Sequence, residues 1–162
     1  MHPALIAQLL VLVTLANAMP LLAKKALGRA WAWPLDGGAT FIDGRPLLGA
    51  SKTVRGLVVS LLATALVSSL MGLGWKLGLI LAACAMAGDL LSSFTKRRMG
   101  LPPSSKALGL DQIPESLLPL LAASWLVPIT LLDIAAGTAI FFVGGLAVSR
   151  LLFKLNLRDE PY

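Results

Sequence analysis

Charge is what this 162-residue sequence has least of. Only 14% of its residues are charged and 57% are hydrophobic, whereas a soluble domain carries nearer a quarter charged residues. With a mean hydropathy of +0.82, that deficit excludes an ordinary water-soluble domain. Histidine is reduced to His2 and cysteine to Cys84. A single histidine at the terminus excludes histidine metal clusters and serine–histidine catalysis. A single cysteine excludes an internal disulfide. Acids are also few, eight Asp and Glu against fourteen Lys and Arg, for a net charge of +6. Such an excess can mark a nucleic-acid binder. Here the cations fall between apolar stretches, where they orient a chain in a bilayer, so no nucleic-acid partner is expected.

What the sequence does have is apolar runs near the ~20 residues that cross a membrane. Five are present: Leu5 to Ala23, Leu57 to Leu73, Leu77 to Phe94, Leu117 to Leu132 and Ile134 to Phe153. They predict an all-α integral membrane protein of about five transmembrane helices in one membrane domain over residues 1–162. Only Asp133 separates the last two runs. Joined as one helix they would reach about 55 Å against a ~30 Å hydrocarbon core, so a tight turn is expected at Asp133. Ala16-Asn17-Ala18 resembles a signal-peptide cleavage site, but no Lys or Arg precedes the apolar stretch, so the first run is expected to stay as a span.

Thirteen of the fourteen cations fall in alternate segments: the first loop, the third loop and the C-terminal tail. Lys76 alone lies on the other side. The positive-inside rule then puts the N-terminus outside and both basic loops and the C-terminus in the cytoplasm. Small residues at helical spacing, Gly78 and Ala82, Ala83 and Ala87, Gly145 and Ser149, suit close helix packing.

One acid lies inside a span. Asp89 precedes Lys96 by seven residues, which places it about 10 Å inside the helix end. An intramembrane carboxylate is a functional-site candidate by default. Asp89, Ser93 and Lys96 share a helical face, with Arg97 beside them. Gly88 lets another backbone or a ligand approach. Carboxylates suit magnesium, which commonly bridges to substrate phosphates, and Lys and Arg at the helix end would hold the remaining phosphate oxygens. The structural alternative is a pair of Asp89 with Lys96 or Arg97 that only neutralises a buried charge.

Residues 24–56 and 95–116 are the two basic segments expected to form the site. The first contains PLDGGATFIDGRPLLGASKTVRG, with Asp36, Asp43, Gly37, Gly38, Arg45, Lys52, Thr53 and Arg55. Its glycines can turn backbone N–H groups toward phosphates. Gly44, Gly49, Lys52 and Thr53 do not have Walker A spacing, and no strand precedes them. The second holds Asp111, 22 residues after Asp89. A returning loop would bring both acids to one metal; the alternative for Asp111 is a helix cap. Gly100 can end the third helix.

These strings resemble a known family. GDLLSSFTKRRMG (Gly88 to Gly100) followed by LDQIPES (Leu110 to Ser116) is similar to the signature of CTP-dependent phosphatidate cytidylyltransferases. PLDGG, FIDGR and SKTVRG look like the small archaeal branch, the CDP-archaeol synthases. The archaeal branch usually has another Asp three residues after the second acid, where this chain has Pro114, and the Pro-Gly-His-Gly-Gly segment of larger bacterial enzymes is absent.

The resemblance implies transfer of a cytidylyl group from CTP to a membrane lipid phosphate, giving a CDP-lipid and pyrophosphate. It implies Asp89, Asp111 and Lys96 as catalytic residues and magnesium on Asp89 and Asp111, with Asp36 and Asp43 as further ligands or nucleotide contacts. Arg97, Lys52, Arg55, Arg45, Gly37, Gly38, Thr53 and Ser93 would bind the CTP phosphates. The enzyme would sit in the cytoplasmic membrane with its site facing the cytoplasm. The rival from another class is a small ion or solute transporter coupled through Asp89; a membrane adaptor would leave Asp89 unexplained.

Overall fold

In a computed structural model of the chain, residues 2–103, 105 and 107–154 are described. Five helices follow in order: α1 (Pro3–Leu27), α2 (Val54–Leu70), α3 (Trp75–Arg98), α4 (Gln112–Ala123) and α5 (Leu131–Lys154). No strand is present among the described residues, only two isolated bridges in the loop after α1. α1, α3 and α5 are long and apolar enough to cross a membrane. α2 has 17 residues, and α4, with 12, is only about 18 Å long.

The central element is α3, which packs against α1, α2 and α4, while α5 packs on α4 and α1. Glycine sets the closest approaches. A Cβ on Gly78 would stand 2.5 Å from the Thr64 carbonyl oxygen, so α2 crosses α3 backbone to backbone there. The main core lies toward the end of the bundle remote from the basic loops, where Leu9, Leu12, Leu81 and Leu120 are fully buried. Of the other predicted small pairs, Ala82 is buried but Ala83, Ala87 and Gly145 are exposed.

The tryptophans mark both ends of the bundle. Trp31 and Trp33 follow α1 at the loop end, while Trp75 opens α3 and Trp125 follows α4 at the other, all four exposed. Indole rings favour the level of the lipid headgroups, so the two pairs bracket an apolar slab.

The structure moves the expected break at Asp133. α4 ends at Ala123, and an irregular stretch through Pro128 reaches Thr130. Asp133 lies in the first turn of α5. Thr130 and Asp133 cap that helix reciprocally: Asp133 N–H donates to Thr130 Oγ1 at 3.2 Å, and Thr130 N–H donates to Asp133 Oδ2 at 3.0 Å. His2 N–H donates to the other carboxylate oxygen at 3.0 Å, tying the start of α1 to α5. The predicted fourth span, Leu117 to Leu132, is therefore a short helix plus a connection. Proline has no N–H for a helical ladder, and a capping box starts a helix rather than turning one.

Candidate active site

The glycine-rich loop is a folded ribbon. Leu35 N–H donates to the Lys52 carbonyl at 2.8 Å and Val54 N–H to that of Trp33 at 3.0 Å, which returns the chain antiparallel to itself. Within it, Phe41 N–H bonds the Arg45 carbonyl and Leu47 N–H that of Ala39, both at 2.8 Å. Asp36 pins the fold: its carboxylate accepts from Gly38 N–H at 3.0 Å, Leu48 N–H at 2.9 Å and Gly49 N–H at 3.1 Å. Burial pulls this carboxyl upward, but the N–H groups of Leu48, Gly38 and Gly49 outweigh it and hold it below its ordinary value.

Arg98 fastens the ribbon to α3. Its guanidinium donates to Asp43 Oδ1 at 2.7 Å and to the Pro46 carbonyl at 2.6 Å. It lies 4.7 Å from the Phe41 ring and 4.9 Å from the Phe94 ring, within cation–π range of both. Arg45 bonds the Arg98 carbonyl at 2.6 Å. Asp36, Asp43 and Arg45 thus act on the loop's shape. The N–H of Gly37 bonds the Pro34 carbonyl and that of Gly38 bonds Asp36.

The third loop is tied down in the same way. Gly100, at φ +77°, ends α3 as expected. Its N–H bonds the Arg97 carbonyl at 3.1 Å and Leu101 N–H bonds that of Lys96 at 3.0 Å, the two bonds of a Schellman motif. Lys96 Nζ stands 2.6 Å from Asp111 Oδ1 and donates to the Ser105 carbonyl at 2.8 Å. Arg97, buried, donates to the Pro102 carbonyl at 2.6 Å. Asp111 precedes α4 but makes no side-chain cap bond; it accepts from Ala107 N–H at 3.0 Å.

Gly88 joins the two halves. A Cβ there would meet the Pro114 carbonyl oxygen at 2.3 Å and Glu115 N at 2.8 Å. The backbone of α4's first turn therefore lies directly on α3, and it brings Glu115 to Asp89. Asp89 is paired with neither Lys96 nor Arg97. Lys52 Nζ, delivered by the ribbon, sits 2.5 Å from both of its oxygens. Burial, then the charges of Asp89 and Asp111, push the Glu115 carboxyl up to about 8, with Lys52 opposing. Glu115 is protonated at neutral pH because two anions stand near it and little water does.

These groups open into a cavity of about 370 Å³ at the loop end of α1, where Lys52, Thr53 and Arg55 of the first loop region meet Asp89 and Glu115. Arg55 is buried and held by the carbonyls of Gly28 and Ala30. Asp111, Lys96, Arg97, Ser93, Arg45, Gly37 and Gly38 do not line this cavity. Lys96, Arg97 and Ser93 are buried. Glu115, Lys24 and Arg29, which the sequence did not single out as site residues, also line the cavity. The available signal for Glu115 was its place in a helix turn one residue beyond the anomalous Pro114.

Among the described residues, no three Asp, Glu, His or Cys side chains converge closely enough to hold a metal ion. The donor chemistry still suits a hard cation. Asp89 and Asp111 each have a lysine as counter-charge, and burial, together with those two carboxylates, raises the Glu115 carboxyl. A site with several carboxyl groups and ammonium partners is one a divalent ion and a phosphate could divide between them.

A charged cavity at one end of an apolar helical bundle suits an enzyme that joins a soluble substrate to a membrane-embedded one. A family model for CarS-like CDP-archaeol synthase matches residues 6–76 and 73–162. The chain is 32% identical over 152 residues to the CDP-archaeol synthase of Pyrobaculum arsenaticum, covering 91% of each chain. It is 38% identical over 123 residues to that of Pyrococcus furiosus, covering 69% of this chain and 70% of that one. A solved structure described as an intramembrane enzyme for archaeal membrane lipids biosynthesis superposes with a TM-score of 0.73 at 31% identity, covering 87% of this chain and 90% of that chain. The chain belongs to the CDP-archaeol synthase family and is an integral membrane enzyme, a lipid cytidylyltransferase.

Proposed function

We propose that the protein transfers the cytidylyl group of CTP to the phosphate of an ether-linked membrane lipid of the archaeol kind, in a magnesium-dependent reaction at the cytoplasmic face. The observation that carries this reading is the cavity in which Lys52, Arg55, Asp89 and Glu115 meet at the end of apolar helices. A soluble nucleotide and an embedded acceptor can meet only at such a boundary. Family membership favours this reading over a transporter.

An oxygen of the lipid phosphate attacks the α-phosphorus of CTP in line. One P–O bond forms there as the bond to the bridging oxygen breaks, and pyrophosphate leaves. Because the attacking phosphate is already an anion, the protein's work is orientation and charge neutralisation. Lys52 leaves Asp89 to hold triphosphate oxygens, and Arg55, fixed by two carbonyls, adds a cation of set position. Asp89 and Asp111 would hold magnesium, which supplies charge neutralisation on the leaving phosphates. Glu115 supplies a further carboxyl beside Asp89. Lys96 and Arg97 keep Asp111 and its loop in place.

The test is incubation of purified protein with CTP, magnesium and an archaeol-type ether lipid phosphate, with pyrophosphate and CDP-lipid measured together. Equimolar release of both is expected, and it should stop when the divalent ion is chelated. No pyrophosphate with any lipid phosphate would reject the reading.

A further inference from the structure

The cavity has two walls of different chemistry. Lys52, Arg55, Asp89 and Glu115 make one. The other is a stripe on α1: Asn17, Pro20, Leu21 and Lys24 stand at i, i+3, i+4 and i+7 and so share one helical face, with Gly28 at the cap and Arg29 just beyond. Along this stripe the chemistry runs from cation through apolar to amide over about 10 Å. Leu21 is 56% exposed, so the stripe is open toward the bilayer.

Asn17 is the anomaly. It sits ten residues inside the loop end of α1, with both amide atoms shielded and neither hydrogen-bonded among the described residues. An unpaired buried amide is costly, and an apolar residue would pack there without that cost. The nearby Ala16 carbonyl is already taken by the Ser60 hydroxyl at 2.8 Å. Asn17 nevertheless borders the cavity. Neither Lys24 nor Arg29 pairs with an acid among the described residues, while both cavity carboxylates belong to the opposite wall.

We propose that the α1 stripe is the acceptor half of the site: Lys24 and Arg29 hold the lipid's phosphomonoester, and Asn17 hydrogen-bonds the oxygens that link its chains to glycerol. This makes Asn17 a specificity-determining residue. The assignment rests on the transfer reading above. The side chains of an α-helix lean toward its N-terminus, so Lys24 leans toward Asn17, and one lipid headgroup can reach both. The triphosphate belongs to the wall with the carboxylates, because only there can a divalent cation accompany it.

The experiment uses the full chain in nanodiscs and titrates each substrate at saturating levels of the other. Asn17→Leu should raise KM for the ether lipid phosphate about fivefold, the worth of one hydrogen bond, with KM for CTP unchanged. Lys24→Gln should raise it about tenfold, and Lys24→Arg should restore most of the loss. Equilibrium binding of the lipid phosphate without CTP should weaken by the same factors, a readout that needs no turnover. A rise in KM for CTP with the acceptor's KM unmoved would overturn the assignment, as would unchanged acceptor binding in both variants. If Asn17→Leu fails to fold, the Lys24 pair decides alone. If the wild-type protein makes no CDP-lipid, the transfer reading fails, while loss of lipid-phosphate binding still reports on the stripe.

Discussion

Asp133 and Asp89 are both carboxylates set in apolar helices, and the chain treats them in opposite ways. Asp133, at the end remote from the loops, is fully buried and receives hydrogen bonds from Thr130 N–H, Thr130 Oγ1 and His2 N–H. Two of its donors are backbone N–H groups, fixed by the fold with nothing to exchange. Asp89, at the loop end, has one ionic partner, the ammonium on the long side chain of Lys52, and a neighbour, Glu115, whose ionisation burial and Asp89 push upward. A carboxylate held by hydrogen bonds from two helix starts fastens helices together. One balanced by a flexible cation in a crowded pocket can trade that partner for a ligand.

The largest effect expected from breaking this contrast is Asp89→Asn. CDP-lipid formation should fall about a thousandfold or more, with membrane insertion and thermal stability near wild type; wild-type turnover would remove Asp89 from the site. Next is Gly88→Ala, whose methyl would collide with the Pro114 carbonyl. Displacing α4 from Asp89 should cost about a hundredfold in turnover, together with a lowered melting temperature. Asp133→Asn should show the reverse pattern, losing about 1–3 kcal/mol of stability while folded protein keeps its activity. Loss of activity without loss of stability would erase the distinction between the two ends.

Glu115→Gln sharpens the comparison by the smallest margin. The carboxyl's ordinary value of 4.5 rises to about 8 in the fold, so the folded chain keeps a proton that the unfolded chain releases. Stability is then greatest below about 4.5 and declines as pH rises toward 8. Melting temperature measured across this range should lose that downward slope in the Gln variant. An unchanged slope would show that Glu115 is not the group responsible.

Much of this was legible in the apolar runs, which located five helices, and in the acid inside the third of them. Gly100 as a helix stop was legible because a glycine just after a basic last turn is the usual way a helix ends. The pairing of the acids was not. Helical arithmetic puts Asp89 and Lys96 on one face, but α4 occupies the space between and captures Lys96 through Asp111, while Lys52 arrives from a ribbon closed by long-range backbone bonds. The error at Asp133 came from reading a lone acid between apolar residues as a break, when Thr130 three residues earlier forms a capping box with it. Asn17 was hidden in a triplet resembling a cleavage site, since one sequence says nothing about what an amide lacks.

The contact of Gly88 with the Pro114–Glu115 backbone has a consequence for how such a protein can change. The relative position of Asp89 and Glu115 is gauged by main chain against main chain, with no intervening side chain to act as a shim. Leu, Val and Ala on the outer surfaces of the bundle can therefore vary to suit a different lipid composition without disturbing that gauge. The surface that must adapt to its surroundings is mechanically separate from the part that must not.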